Sequence, residues 1–373
     1  MEKFIIIGAG ILGASTAYHL AKSGADVTVI DRKDQGQATD AAAGIVCPWV
    51  SQRRNKAWYK LAKNGACFYP GLIRELENEG EKNTGYARVG AISLHTESKK
   101  LLDMEKRALS RKDDAPEIGE IQVLTPSETR SLFPPLAEEY GSVHISGAAR
   151  VDGRALRDSL LRSAKRHGAT IINDDASLIC SGNRVTEVKT SLESYSANTV
   201  IITSGAWAHQ LLQPMGINFQ VSFQKAQIVH LQLAEISTNE WPVVMPQGNQ
   251  YIVPFDNGKI VIGATHEDNT GYDIRQTVGG MQEIFQKALH VAPGLSDGTY
   301  LETRVGFRPF TPGFLPVIGP LPNYENILVA NGLGASGLTM GPYLGSGLAK
   351  LARRENIDID LNDYDVAAAI QSF

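Results

Sequence analysis

The sequence predicts an α/β chain, α+β overall, in which a parallel-sheet domain is interrupted by a second domain built on an antiparallel sheet. Two observations lead to this prediction. An apolar run at the start ends in three glycines at G-x-G-x-x-G spacing and continues with helical periodicity, whereas residues 224–265 change to short alternating strands. The 373 residues are enough for about two domains.

The opening stretch is predicted to form a strand, a tight turn and a helix. Residues 4–7 are apolar, and Gly8, Gly10 and Gly13 follow, with Ile11 and Leu12 between the last two. Gly8 would permit the turn, Gly10 would let backbone N–H groups approach a pyrophosphate, and Gly13 would let the helix pack closely on the strand. We therefore expect this turn to bind a dinucleotide, either NAD(P) or FAD.

A second strand, residues 27–30, completes a βαβ unit and ends in Asp31, which Arg32 follows. A carboxylate at about this distance from the glycines can accept hydrogen bonds from ribose hydroxyls. Lys3 and the apolar run also resemble a secretory signal peptide, but cleavage there would remove the first strand. We expect an uncleaved chain without a leader.

Composition narrows the class of protein. Hydrophobic residues make up 43% of the chain, charged residues 20%, and the formal net charge is −4. No apolar run approaches the ~20 residues of a membrane-spanning helix, and nothing indicates nucleic-acid binding. Three cysteines without C-x-x-C spacing and scattered histidines predict reduced thiols, no metal site and a cytoplasmic location. The oligomeric state stays open.

Periodicity and turn residues predict the remaining elements. Helical patterns cover residues 56–79, 98–114 (with a loop), 155–167 and 276–290. Strand patterns cover residues 90–94, 168–172, 177–179, 185–188, 199–203, 227–233, 250–254, 260–263 and 327–330. Asn257-Gly258 predicts a hairpin turn, and His266 is interpreted as part of a polar loop after a strand.

Two segments of small residues follow predicted loops or strands. Thr39 precedes Ala42, Ala43, Gly44 and Ile45, which either lie against the flat ring of a cofactor or begin a helix packed on the sheet. Strand 199–203 runs into Ser204, Gly205 and Trp207, at the carboxyl end where open α/β sheets bind ligands.

The last glycine-rich turn follows strand 327–330 and opens a helix that extends to Arg353. Its amides and the helix dipole could face an anionic ring such as a reduced flavin. The residues of this turn are Gly332, Leu333, Gly334, Ala335, Ser336, Gly337, Leu338 and Thr339.

Together these features resemble the D-amino-acid oxidase superfamily of flavoproteins, which includes glycine oxidase, sarcosine oxidase and the bacterial D-amino-acid dehydrogenases. The matching elements are the three first glycines with Asp31, residues 42–44, 204–207 and 332–340, and a block from Gly306 to Gly319. The resemblance implies a Rossmann-type domain that binds FAD rather than NAD. It places the adenine near Asp31 and Ser177 and the isoalloxazine near residues 39–45 and 333–339.

The resemblance also implies the domain division and the absence of a covalent flavin. The FAD-binding domain is expected to comprise residues 1–87, 147–216 and 305–373, and the substrate domain residues 88–146 and 217–304. No cysteine lies near Arg308, so the FAD is expected to be non-covalent. Leu333 and Ala335 stand where related dehydrogenases often have a histidine and glycine oxidase has an arginine.

The implied substrate is a small amine or amino acid, such as a D-amino acid, glycine or a sarcosine-like compound. Its carboxylate would be held by the guanidinium of Arg308, for which the alternative is a structural salt bridge. Tyr251 would cover the substrate, and hydride would pass from the carbon next to nitrogen to flavin N5. Two other functions stay open: an NAD(P)-dependent dehydrogenase and a non-catalytic FAD-binding protein.

Overall fold

The computed structural model describes residues 2–234 and 236–371. The outer bounds of the expected FAD-binding domain, residues 1 and 373, lie outside this described part, as do residues 235 and 372. The helices are α1 Ile11–Lys22, α2 Lys56–Asn78, α3 Ser98–Lys112, α4 Pro126–Leu132, α5 Gly153–Arg166, α6 Ala208–Leu212, α7 Val278–Val291 and α8 Gly337–Ala352. None of these helices is long and apolar enough to cross a membrane.

The strands alternate with these helices and form four sheets. They are β1 Lys3–Ile7, β2 Asp26–Ile30, β3 Ile45–Val46, β4 Tyr86–Ala87, β5 Ala91–His95, β6 Ile121–Leu124, β7 Gly141–Ile145, β8 Ala149–Val151, β9 Thr170–Ile172, β10 Ser177–Ser181, β11 Arg184–Lys189, β12 Ser194–Tyr195, β13 Thr199–Ile202, β14 Ser222–Gln232, β15 Val243–Met245, β16 Tyr251–Pro254, β17 Lys259–Gly263, β18 Thr299–Phe310, β19 Val317–Pro320 and β20 Ile327–Asn331.

The first sheet has six strands in the order β19-β20-β13-β1-β2-β9, and all neighbours are parallel except β19 with β20. Both faces of β1 are buried: Phe4 and Ile6 belong to one hydrophobic cluster, and Ile5 and Ile7 to another. Because side chains alternate along a strand, a continuous apolar run serves both faces. This confirms the predicted α/β architecture around the first βαβ unit.

The second large sheet has eight strands in the order β18-β14-β17-β16-β15-β5-β7-β6 and is antiparallel except where β15 meets β5. Asn257 and Gly258 have φ of 58° and 78°, as the predicted hairpin turn requires. The smaller sheets are β3-β8-β4 and β10-β11-β12. Residues 305–310, placed by sequence in the FAD-binding segment, form the end of β18 in the eight-stranded sheet. The domain bounds themselves stay a prediction.

Helices α1 and α8, from opposite ends of the chain, pack against each other through small residues. A Cβ at Gly345 would lie 2.6 Å from Ser15 Cβ and 2.8 Å from the Leu12 carbonyl oxygen. Ser15 Oγ donates a hydrogen bond of 2.7 Å to the Pro342 carbonyl. The glycine therefore allows the close approach of the N-terminal half of α1 to the middle of α8.

Replacing Gly345 with alanine should lower the free energy of unfolding by about 1–3 kcal/mol, because the added methyl overpacks this contact. The matched control is Gly71→Ala on α2, where a Cβ would meet nothing within 4 Å. That change should raise the free energy of unfolding by about 0.5–1 kcal/mol, as expected for a helical glycine. Urea denaturation measures both, and equal stability of the two variants would contradict the packing argument.

Candidate active site

One cleft of about 1400 Å³ runs from the carboxyl ends of the parallel strands to the eight-stranded sheet. Most of the residues predicted for the site line it: Gly8, Gly10, Ile11, Leu12, Asp31, Arg32, Thr39, Ala42, Ala43, Gly44, Ile45, Ser177, Ser204, Gly205, Trp207, Tyr251, Arg308, Leu333, Gly334, Ala335, Gly337, Leu338 and Thr339. Gly13, Gly332 and Ser336 do not belong to the lining.

Two of the three residues outside the lining are close-packing glycines. A Cβ at Gly13 would lie 1.9 Å from the Gly8 carbonyl oxygen, and one at Gly332 would lie 1.8 Å from Thr311 Oγ1. Ser336 is the last residue before α8. The two glycines let the turns pack closely on the rest of the protein, and residues next to them in the sequence line the cleft.

The turn after β1 leaves backbone donors facing the cleft. Gly8 has φ of 103°, and a Cβ there would lie 2.6 Å from the Thr203 carbonyl oxygen, so the turn requires glycine. The Ile11 N–H donates to Thr39 Oγ1 at 3.0 Å. The next N–H groups of the first helical turn have no intrahelical acceptor, and no acidic side chain occupies that turn. This end of α1 is suited to an anionic group.

Asp31 is held by three donors. Its Oδ2 accepts a hydrogen bond of 2.5 Å from the Ala9 N–H, and its Oδ1 accepts from the Lys33 N–H at 2.6 Å and from Gln37 Nε2 at 2.8 Å. A carboxylate offers about four lone-pair positions, so one position is left. The carboxylate thus fixes the glycine turn and retains capacity for one further donor.

The segment of small residues takes an extended course into β3, not a continuous helix. A short 3₁₀ turn, Ala38–Ala41, ends at Ala42, which has extended φ and ψ of −80° and 138°. Gly44 has φ of 82°, and a Cβ there would lie 1.7 Å from the Val151 carbonyl oxygen. Thr339 Oγ1 donates to the Ile45 carbonyl at 2.9 Å, which fastens this segment to α8.

The strand-end turn after β13 joins the same wall. Thr203 Oγ1 donates to the Gly8 carbonyl at 2.8 Å, and Asn331 Nδ2 donates to the Gly205 carbonyl at 2.9 Å. The Ser204 hydroxyl oxygen is buried without a partner within residues 2–234 and 236–371. Trp207 stacks on Tyr272, with ring centroids 5.5 Å apart.

These observations fit a bound dinucleotide of the FAD type. The cleft is long, two helices direct their N-termini at it, and the glycine at position 10 leaves room beside the first turn. The buried Ser204 hydroxyl supplies a further polar group that lacks a protein partner. The Cys47 thiol also lines the cleft, and burial raises its pKa to about 12, so it stays neutral.

Arg308 lies at the other end of the cleft, on β18. Its Nη1 is 3.2 Å from Gln224 Oε1, 3.1 Å from His266 Nδ1 and 3.5 Å from the Thr265 carbonyl oxygen. Gln224 Nε2 in turn donates to Asp268 at 2.9 Å, which orients the amide. Within the described chain no carboxylate pairs with Arg308 at 4 Å or less, so the alternative of a structural salt bridge is absent.

Tyr251 stands beside Arg308 at the start of β16. Burial raises the pKa of its hydroxyl, and the positive charge of Arg308 opposes that rise only in part. The phenol therefore remains a neutral hydrogen-bond donor. Gly263, its partner on β17, makes room for the ring, because a Cβ there would lie 2.8 Å from the hydroxyl.

His266 and Gln250 are among the lining residues that were not identified as site residues from the sequence. His266, interpreted as part of a polar loop, contacts Arg308 as described, and Gln250 donates from Nε2 to the Ala264 carbonyl at 3.1 Å. Gln250 Oε1 is buried and has no partner among the described residues. Their only sequence signal was adjacency to strands β16 and β17, since the pairing register that brings them to Arg308 is not local.

Comparison with known proteins was made against families, curated sequences and solved structures. The family described as FAD dependent oxidoreductase matches residues 3–351. The chain is 62% identical over 371 residues to the uncharacterised oxidoreductase YurR of Bacillus subtilis (strain 168), covering 99% of this chain and 100% of that protein.

Solved structures show the same overall similarity. Iminodiacetate oxidase from Chelativorans sp. BNC1 matches with a TM-score of 0.94 and 45% identity, covering 97% of this chain and 98% of that one. Glycine oxidase from Geobacillus kaustophilus matches with a TM-score of 0.85 and 27% identity, covering 98% and 99% respectively.

Gly10→Ala should fold normally yet bind FAD weakly. Gly10 has φ of −64°, and the nearest atom to an added Cβ is Thr39 Oγ1 at 3.4 Å, so the flavin-free protein accommodates the methyl. A methyl in space needed by the ligand costs ~1–3 kcal/mol, which corresponds to about 5- to 150-fold weaker binding. Flavin titration of the flavin-free protein measures this.

The matched variant is Gly8→Ala, which should lower the melting temperature of the flavin-free protein itself, because its φ is positive and its Cβ would clash. Unchanged FAD affinity in Gly10→Ala would show that the glycine turn does not contact the dinucleotide.

His266 should titrate below its usual value, because burial and then the positive charge of Arg308 lower its pKa. The pKa of His266 in the folded protein lies below its unfolded value of about 6.5. Its stabilising contribution to the free energy of unfolding is therefore fully present above about pH 6.5. It is lost as the pH falls through the folded pKa.

Arg308→Met should raise the pKa of His266, as measured by NMR titration of histidine-labelled protein, whereas Arg32→Met at the far end of the cleft should not. A pKa of 6.5 or higher for His266 in the unaltered protein would contradict its burial beside Arg308.

Proposed function

Because the chain belongs to the family of FAD-dependent oxidoreductases, we propose that it oxidises the C–N bond of an amino acid or N-substituted amino acid whose carboxylate binds Arg308. The observation that carries this proposal is the Arg308 guanidinium at the end of a cleft suited to FAD, which has no carboxylate partner within residues 2–234 and 236–371. A guanidinium binds a carboxylate through two parallel hydrogen bonds, which fixes both the position and the orientation of the substrate.

The side chains around Arg308 support binding of a zwitterionic amine. Gln224 and His266 hold one side of the guanidinium, and the neutral Tyr251 hydroxyl is a second donor for the same carboxylate. Gln250 Oε1, which has no partner among the described residues, would accept a hydrogen bond from the amine. Orientation of the C–H bond by these groups would supply much of the catalysis.

Bound FAD would supply the oxidant by accepting hydride at N5 from the carbon next to nitrogen. The protein binds the deprotonated amine and excludes water while this occurs. The imine product hydrolyses after release to a keto acid and ammonia, or to an aldehyde fragment and a primary amine where the nitrogen is substituted.

The comparisons favour substrates of this kind. Iminodiacetate oxidase and glycine oxidase, as their names state, act on amines that carry a carboxylate one carbon from nitrogen. The higher identity, 45%, is to the oxidase that acts on an N-substituted amine. We therefore place N-carboxymethyl and N-methyl amino acids ahead of primary amino acids.

Arg308→Lys should lower kcat/KM for carboxylate substrates by at least about tenfold and Arg308→Met by more, since a charge-assisted pair is worth ~1.5–3 kcal/mol. The flavin should stay bound in both. Anaerobic reduction of the flavin by iminodiacetate, sarcosine, glycine and D-amino acids measures substrate use, and flavin absorbance after gel filtration measures retention.

Arg184→Met on exposed β11 is the control and should behave as the unaltered protein. Loss of flavin and fold in Arg308→Met would assign Arg308 a structural role, and failure of the whole panel to reduce the flavin would reject the proposed substrates.

A further inference from the structure

A second cavity of about 830 Å³ adjoins the mouth of the cleft and is lined mainly by cations. Ser51, Gln52 and Arg107 line both cavities, so the second opens onto the first. Seven cations line it, and Lys63 is paired with Asp114. We define the basic vestibule by the other six: Arg53, Arg54, Lys56, Lys60, Arg107 and Arg111.

The charges of the basic vestibule are not neutralised by the protein. Asp114, the acid of this cavity, pairs with Lys63 at 2.8 Å. Within residues 2–234 and 236–371 none of the six cations forms an ion pair at 4 Å or less. In a chain whose net charge is −4, this is a concentrated region of positive potential.

Folding stability does not account for this arrangement. Arg53 and Arg54 precede α2, Lys56 and Lys60 lie at its start, and its first turn has no acidic residue. Cations at a helix N-terminus oppose the macrodipole, so their presence there costs stability. The same dipole adds to the positive potential of the vestibule, which increases the attraction for an anion.

Two of the arginines are fixed in position by the backbone. Arg111 Nη1 and Nη2 donate to the carbonyls of Trp49 and Ser51 at 2.5 and 3.0 Å, and its guanidinium lies 4.4 Å over the Tyr59 ring. Arg107 Nη1 donates to the Val50 carbonyl at 3.4 Å. These hydrogen bonds attach the vestibule to residues 49–51, in the segment between β3 and α2.

We infer that the basic vestibule is an anion-recognition site that favours amine substrates with a carboxylate beyond the one held by Arg308. The inference rests on the proposed function and specifies its substrate class. At neutral pH a secondary amine with two carboxymethyl groups has a net charge of −1, whereas its N-methyl counterpart with one carboxylate has none. The field of the vestibule acts on net charge and therefore selects the former.

The test compares two double variants of the holoenzyme that lose the same charge. Lys56→Gln with Lys60→Gln removes two cations of the vestibule, and Lys82→Gln with Lys165→Gln removes two exposed cations elsewhere. At low ionic strength the vestibule variant should show a ~3- to 10-fold lower ratio of kcat/KM for iminodiacetate to kcat/KM for sarcosine. The ratio should be unchanged in the control.

Binding is measured separately with thiodiacetate, a dicarboxylate without a C–N bond, by perturbation of the flavin spectrum. Its Kd should rise ~3- to 10-fold in the vestibule variant, and this difference should shrink at high salt. If thiodiacetate shows this pattern while no amine of the substrate panel reduces the flavin, the proposed function fails but the vestibule is still an anion-binding site.

Three outcomes would overturn the inference: equal effects in both double variants, an unchanged ratio and Kd in the vestibule variant, or a change of oligomeric state on size-exclusion chromatography. The last would assign this surface to an interface between copies of the chain.

Discussion

The cleft depends on strand β18 of the eight-stranded sheet, which also contacts the segment that follows β2 of the six-stranded sheet. Strand β18 pairs along its length with β14, and the Phe307 N–H also donates to the Gly36 carbonyl of the nucleotide-binding segment at 2.9 Å. A Cβ at Gly36 would lie 2.3 Å from the Phe307 ring, and one at Gly306 would lie 2.8 Å from Ala41 Cβ. Because both positions lack a side chain, β18 comes close enough to carry Arg308 to the end of the cleft.

The charged side chains at the two ends of the cleft, Asp31 and Arg308, differ in the partners that the protein gives them. Asp31 accepts three hydrogen bonds and acts mainly on the turn that it stabilises. Arg308 has amide, imidazole and carbonyl partners but no acid among the described residues, so its positive charge is left for a ligand. A charge held by several hydrogen bonds shapes the site, whereas a charge without an opposite partner can select what enters it.

Local sequence signals identified the elements that depend on local chemistry. The glycine turn, α1, α2 and the Asn257-Gly258 hairpin were predicted because periodicity and positive φ are encoded within a few residues. Strand β18 was not predicted. It contains Pro309, which an edge strand tolerates because its N–H side need not pair. Gln224, Gln250 and His266 were missed because register between distant strands brings them to Arg308.

The contact between α1 and α8 bears on the order in which the chain can fold. Ser15 bonds to Pro342 across 327 residues, and β1 lies beside β13, which in turn pairs with β20. During synthesis the first βαβ unit therefore emerges long before the elements that cover it, with both faces of β1 apolar. Because residues at the start of α8 line the cleft, the cleft is completed only after α8 has left the ribosome, and the apolar faces of β1 stay uncovered until its partners have formed.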